Sequence, residues 1–425
     1  MKEDFLHYVW KFQKLIQTKI FTTQKQPIEI VNVGQHNTNS GPDFLCAQIR
    51  IANQLWAGHV EIHLRSSDWY IHHHEQDPAY DSVILHVVWE HTSEVFRKDN
   101  AKIPTLVLSD IVHPKTISSY KTLFSKNAQW IPCEKHFPKV NPFEMNHWLE
   151  RLFFERLEQK SEDIMTKLNY ATNHWEALLF KLLAKNFGLK VNGEAFYYMA
   201  SRVDYSVIKK CTNRLEDLES LFYGCAGLLN QPEDDLYYVA LSRRFDFLRK
   251  KFGITGVCDI TPKYFRLRPA NFPTIRLAQL AKLYFTEKTL FSKVIALTSL
   301  KEFYELFDVV ASDYWDTHYN FGLASVKRKK RLTKKFINLV LINTIIPIKF
   351  CYAKHLGKDV SEALIKLTAA IEAEENSVIA KFNGLQSVAT NAIQSQGLLQ
   401  LKKEYCDTAG CLKCAIGNSL SLIHI

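Results

Sequence analysis

The residues best suited to chemistry in this sequence are two carboxylates, Asp43 in Gly41-Pro42-Asp43-Phe44 and Glu61 in His59-Val60-Glu61-Ile62-His63-Leu64. Strand side chains alternate with period two, so His59, Glu61, His63 and Arg65 are expected on one face. A hairpin turning near Ala52-Asn53-Gln54 would set Asp43 beside Glu61. Adjacent carboxylates repel, and a hard divalent cation such as Mg2+ or Mn2+ relieves that repulsion. Such an ion activates water and offsets charge on a phosphate under attack. His63, two positions after the glutamate, would then position or deprotonate that water. The competing reading makes Asp43 a turn cap, Glu61 a solvated strand residue and His63 a cross-strand partner.

Histidines add a second possibility. Seven of the 16 fall between His59 and His91: His59, His63, His72, His73, His74, His86 and His91. A transition-metal centre on His59, Glu61 and His63 is conceivable. Strand neighbours on one face are about 6.6 Å apart, however, which is wide for three ligands on one ion. Asp68, His72 and His74 could bring further polar groups to the same cleft, and His86, inside Val83-Ile84-Leu85-His86-Val87-Val88, reads as a hydrogen-bonded core residue.

Near the C-terminal end, Cys406, Cys411 and Cys414 are spaced C-x4-C-x2-C, with Gly410 easing a tight loop. Cys133, in Trp130-Ile131-Pro132-Cys133-Glu134, is the best candidate for a fourth ligand. Four thiolates hold Zn2+ or an iron–sulfur cluster, and spacing alone does not separate these; reduced surface thiols or an occasional disulfide are the alternative. Cys46, Cys211, Cys225, Cys258 and Cys351 read as buried apolar thiols. Lys327, Arg328, Lys329, Lys330, Arg331, Lys334 and Lys335 form an acid-free run that could contact phosphates; a solvated face is the competing view. Tyr264 to Arg276 interleaves arginines with aromatics, and an interdomain loop is preferred there over a nucleic-acid grip. The small residues of Leu221 to Leu229 suggest tight helix packing.

These residues need elements to hold them. Apolar spacing from Phe5 to Ile16 predicts an amphipathic helix over 3–19. Short β-branched runs, IEIVNV, LCAQIRI, HVEIHL and VILHVVW, predict strands, with Leu106 to Leu108 as a further one. The stretch from Ser66 to Ser82 has room for a short helix or crossover. After about residue 114 strand patterning stops, and helices are predicted over 142–169, 173–189, 213–230, 233–251, 273–286, 299–310 and 361–383, with Pro232 and Pro273 near helix starts. The expected fold class is α+β and multidomain: a small α/β unit over 1–115, a large helical region over 116–400, and a Cys-rich segment over 401–425 that Cys133 would join.

The first unit resembles the PD-(D/E)XK nuclease superfamily. Pro42-Asp43 matches its PD element and Glu61-Ile62-His63 its (D/E)XK element, with His63 in place of the usual Lys. The resemblance implies Asp43 and Glu61 as metal ligands, Glu3 on the first helix as an additional acidic ligand, and phosphodiester hydrolysis as the activity. Some of these nucleases fasten their ends with one distant Cys and a C-terminal Cys triplet around a [4Fe–4S] cluster. Cys133 with Cys406, Cys411 and Cys414 looks similar, with a different triplet spacing. Through GPDF, GHVEIHLRSSDW, VILHVV, LRPANFPTIRLAQLA and the C-terminal cysteines, the chain also resembles a bacterial family of unknown function. That resemblance implies a domain layout and no activity.

Across 425 residues, 54 Lys+Arg against 44 Asp+Glu leave a net charge of +10, suited to a polyanionic partner such as DNA or RNA. Nine Cys are too sparse for a disulfide scaffold. The acidic start Met1-Lys2-Glu3-Asp4 is unlike a signal peptide. Phe336 to Phe350, interrupted by Asn338, Asn343 and Pro347, is short of the roughly 20 residues of a membrane span and reads as a buried helix. A soluble, cytoplasmic, metal-dependent nuclease is therefore expected. A non-catalytic nucleic-acid-binding or scaffold protein on a decayed nuclease fold, and a His/Glu transition-metal hydrolase of another substrate, are the rivals.

Overall fold

A sheet-bearing unit and a helical unit make up the chain, an α+β, multidomain arrangement in a computed structural model that describes residues 2–16, 19–37, 40–123, 129–170, 174–231, 233–255 and 260–423. Pro232 and Cys258 lie outside the described residues. The first unit comprises Met1–Trp148 with Leu401–Ile425, and the second comprises Leu149–Gln400.

The first unit opens with helix α1 (Glu3–Lys11), shorter than the periodicity predicts because Gln13 turns the chain with a left-handed φ of +48°. Strands β1 (Ile20–Phe21), β2 (Pro27–Asn32), β3 (Gln35–His36), β4 (Phe44–Ile51), β5 (Gln54–Arg65), β6 (Val83–Glu90) and β7 (Thr105–Val107) form one sheet in the order β1-β2-β4-β5-β6-β7, with β3 also paired to β4. The β4–β5 hairpin turns at Ala52-Asn53, with Ile51 opposite Gln54 and Phe44 opposite Val60. That register places Asp43, one residue before β4, against Glu61. Strand β6 runs parallel to β5, so the chain must cross over between them; the short helix α2 (Asp68–Ile71) and the turns after it make that crossing. Strand β6 is buried on both faces, as its unbroken apolar run requires.

Alternation along β5 sorts its side chains. Val60 and Ile62 join a core with Phe5, Val9 and Trp10 of α1, Phe44 and Ile49 of β4, and Leu85 and Val87 of β6. Glu61 and His63 therefore take the opposite face, on the side of a smaller cluster of Trp69, Tyr80, Val83, Val95 and Ile103. Cys46, expected to be buried, is exposed. The β4–β5 register shifts between Phe44 and Ala47, and Cys46 takes a left-handed φ of +55° at that bulge. Helix α3 (Pro114–Leu123) follows β7, so the boundary drawn at residue 115 falls at its start. The unit closes with a C-terminal helix, Ala415–Ile423.

In the second unit the predicted helices are present, Pro273–Thr286 with the expected ends and Trp175–Phe187, Leu215–Cys225 and Leu236–Phe252 with shifted ones. The stretch 361–383 splits into Ser361–Ala369 and Ser377–Leu385, the second capped by Asn376. Helices at Leu189–Arg202 and Leu290–Ala296 and a small hairpin, His318–Asn320 with Leu323–Ala324, are additional. Lys334–His355 is one helical run long and apolar enough to cross a membrane, and 67% of its apolar window is buried inside the fold. It carries a π turn at Leu341–Ile345, just before Pro347, which absorbs the missing backbone donor and ring of the proline. Asn186 donates to Thr344 Oγ1 at 3.0 Å beside that turn.

Gly224 shows how tightly these helices pack. A Cβ built there would fall 2.2 Å from the Phe245 ring. Gly224→Ala is expected to lower stability by about 1–2 kcal/mol, the overpacking term outweighing the helix-propensity gain of about 1 kcal/mol. Urea unfolding measures this, and Phe245→Leu in the same chain should restore most of the loss.

Candidate metal centre

Helix α1, the β4–β5 hairpin and the crossover to β6 each contribute polar groups to one locus. Asp43 and Glu61 hold each other through backbone amides. The Asp43 N–H donates to Glu61 Oε2 at 3.1 Å, and the Ile62 N–H donates to Asp43 Oδ2 at 2.9 Å. From α1, His7 brings Nε2 to 3.2 Å from Asp43 Oδ2. Glu3, one helical turn earlier on the same face, accepts the Leu64 amide and lies close enough to Asp43 to feel its charge. Asp43 and Glu61 thus form a bonded carboxylate pair, with Glu3 near enough to feel the Asp43 charge.

Electrostatics there follow from burial and like charge. Burial, then the Asp43 carboxylate, push the Glu61 carboxyl up to about 9. Burial and then Asp43 also raise Glu3. For His7, burial acts to lower the basicity, but the bond to Asp43 and its charge outweigh that and raise it. A cation bound among the carboxylates would remove the penalty on Glu61, so the donor set fits a hard divalent ion.

The histidines occupy the adjoining side of Glu61. His63 is 2% exposed, with Nε2 at 3.5 Å from Glu61 Oε1. Its Nδ1 lies 2.9 Å from His86 Nε2, and its Nε2 lies 3.1 Å from His72 Nδ1. His74 Nε2 is 3.4 Å from the same Glu61 Oε1, and its ring stacks on Tyr80 with centroids 3.7 Å apart. Burial, then the neighbouring His74 and His72, bring His63 down to about 3, and burial takes His86 well below the ordinary range. His63 and His86 are therefore neutral at pH 7. His59 does not join them: its Nδ1 accepts the Cys46 amide at 3.2 Å.

Elsewhere in the same unit Cys133, Cys406, Cys411 and Cys414 line one pocket, walled by Ile131, Phe137, Leu401, Tyr405 and Ile416. Cys406 ends a π turn, Leu401–Cys406, that brings it round to the others. All four thiols are free. Burial, then Cys414 and Cys411, push Cys133 up to about 12; burial, then Cys414, do the same for Cys411. Cys406 and Cys414 are raised by burial first as well. A soft cation that replaces the protons is what such a donor set fits. Among the described residues, no three of these sulfurs come mutually within 4.8 Å. The tetrahedral edge around one Zn2+ with 2.3 Å bonds is about 3.8 Å.

The basic run of the second unit is largely committed to neighbours. Lys329 pairs with Asp316 at 2.7 Å, Arg331 with Asp308, and Lys335 with Glu375. Lys330 is buried, donating to the Asp316 carbonyl at 3.1 Å and lying over the Tyr319 ring. Lys334 lies over Tyr304, while Lys327 and Arg328 are exposed. Arg276 is a core residue, 3.6 Å from the Phe336 ring centroid and bonded to Gln279, whereas Phe265 and Arg266 are exposed.

Compared with known proteins, residues 3–377 match the family described as "Protein of unknown function (DUF2851)". The chain belongs to that family. No curated protein and no solved structure matches it. The DUF2851 stretch contains Glu3, Asp43, Glu61, the histidines, Cys133 and the basic run; Cys406, Cys411 and Cys414 follow it. His7 is the residue that sequence reasoning missed. Its signal is the i,i+4 spacing from Glu3, which sets both on one face of α1.

Because Glu61 carries a folded-state pKa above its unfolded value, the cation-free chain loses stability as pH rises from the unfolded range near 4.5 toward about 9. Glu61→Gln in chelator should therefore be stabilising, by little at pH 5 and by about 1–3 kcal/mol at pH 8. Urea midpoints at the two pH values check this, and an equal effect at both would contradict the assignment.

Proposed function

We propose that the N-terminal unit of this DUF2851 protein is a divalent-metal-dependent phosphodiesterase acting on nucleic acid. The observation that carries the reading is the pairing of Asp43 with Glu61, within reach of the Glu3 charge, where an antiparallel hairpin meets a parallel crossover. A helix, a carboxylate hairpin, a crossover and a further parallel strand follow the order that the PD-(D/E)XK resemblance implies.

In this reading Asp43 and Glu61 hold Mg2+ or Mn2+, with Glu3 as the third carboxylate. The ion supplies charge neutralisation at the attacked phosphate and a lowered pKa for bound water. Asp43 is aimed by the Ile62 amide and by His7. Glu61 is aimed by the Asp43 amide and releases its proton when the ion binds. The second basic position holds His63, which is buried behind Glu61 and held neutral. Its low basicity suits orienting Glu61 better than removing a proton from water. Lys327 and Arg328 are the members of the basic run best placed to meet a polyanion in solution.

The four thiols hold a structural metal in the same reading. Four buried thiols on one pocket suit a soft metal, and an iron–sulfur cluster is the one this reading takes.

Labelled single- and double-stranded DNA and RNA, incubated with the full chain in Mg2+ or Mn2+, test the activity. Asp43→Ala is expected to lower cleavage at least 100-fold in a chain that still melts cooperatively; undiminished cleavage would remove Asp43 from the site. Salt-sensitive binding without cleavage would instead identify a binding protein on the same fold. For the thiol site, anaerobically purified protein should show iron and sulfide with broad visible absorption, both lost in Cys133→Ser. Unaltered metal content in that variant would break the four-thiol set.

A further inference from the structure

We propose that His63, His72 and His74 form a transition-metal site, with Glu61 Oε1 beside two of the three rings, next to the carboxylate pair. This goes beyond the phosphodiesterase reading and does not depend on it.

The distances are those of a coordination shell. Bonds of about 2.0–2.2 Å to imidazole nitrogen and carboxylate oxygen give tetrahedral ligand–ligand edges of about 3.3–3.6 Å. His63 Nε2 lies 3.5 Å and His74 Nε2 3.4 Å from Glu61 Oε1, and His63 Nε2 lies 3.1 Å from His72 Nδ1. The ligand nitrogens of the three rings all fall within 4.8 Å of one another. The thiols, by contrast, contain no such triplet among the described residues.

The surroundings orient these ligands. His63 Nδ1 meets His86 Nε2 at 2.9 Å, so an Nδ1–H donated there leaves the Nε2 lone pair facing the other donors. His86 is fully buried against Trp69. His74 is braced by the Tyr80 stack and by its amide bond to the Trp69 carbonyl at 3.1 Å. Between the two crossover ligands His73 takes a left-handed φ of +57°, which reverses the chain and lets His72 and His74 face the same point.

Three imidazoles select Zn2+, Co2+ or Fe2+ over Mg2+. Glu61 divides its two oxygens, with Oε2 on the Asp43 side and Oε1 on the histidine side. It is therefore the one carboxylate common to both sites.

The test uses the full chain, stripped with chelator and titrated with Co2+ under anaerobic conditions. Co2+ on thiolates gives strong near-ultraviolet charge-transfer bands, whereas Co2+ on the imidazoles gives visible ligand-field bands without them. The doubly substituted His72→Ala, His74→Ala chain is expected to lose one equivalent of Co2+ and those visible bands, with at least 100-fold weaker binding of that equivalent. Asp43→Ala should keep both. A double variant that melts like the parent yet binds Co2+ with the same stoichiometry and affinity would overturn the site. Loss of the same Co2+ equivalent in Asp43→Ala would overturn the separation of the two sites. A parent chain that binds this Co2+ but cleaves nothing would support the histidine site and count against the phosphodiesterase alone.

Discussion

Two carboxylates facing each other across a strand pair are unfavourable unless something fixes and neutralises them, and that constraint organises the first unit. The solution begins in the backbone. Each carboxylate accepts an amide from the other's side of the hairpin, Asp43 N–H to Glu61 and Ile62 N–H to Asp43. These bonds require the β4–β5 register, which in turn rests on the two-residue turn at Ala52-Asn53 and the bulge at Cys46. The apolar side of β5 anchors that register in the α1 core, since a slip of one residue would put Glu61 there and turn Val60 and Ile62 to the histidine side. Packing on one face of the strand thus holds the charged groups on the other.

What could be read from sequence follows from how local the determinants are. The strands of the first unit are legible by alternation, and Asp43 and Glu61 come together through a single hairpin. The first helix stops at Lys11, short of its predicted end, because a left-handed turn at Gln13 leaves no mark in apolar periodicity. Helix Leu189–Arg202 escapes because Asn192 and Gly193 lie inside it, and Asn192 bonds instead to the backbone of Lys263, 71 residues away. His7 escapes for a related reason. Its role depends on how α1 is rotated over the sheet, which burial of Phe5, Val9 and Trp10 decides.

Local patterns also misdirect. The face shared by His59, Glu61 and His63 follows from strict alternation, but His59 is drawn to the bulged Cys46 amide and the crossover supplies His72 and His74 in its place. Seven adjacent cations look like a free basic surface. In the fold Lys329, Arg331 and Lys335 are matched to acids from separate segments, and Lys330 is inside. Charge runs report composition, while the partners that spend the charge are set by tertiary structure.

The division of the chain has a temporal side. The first unit is completed only by Leu401–Ile425, so Cys133 waits for its three companions while the whole of Leu149–Gln400 is made. At about 5–20 residues per second, that wait is roughly 13–50 s on the ribosome. Throughout it, Cys133 has none of the other three thiols beside it, and the helical unit has time to fold first. Assembly of the thiol pocket then reports that both ends of the excursion have met, which makes it a late event in the biogenesis of this protein.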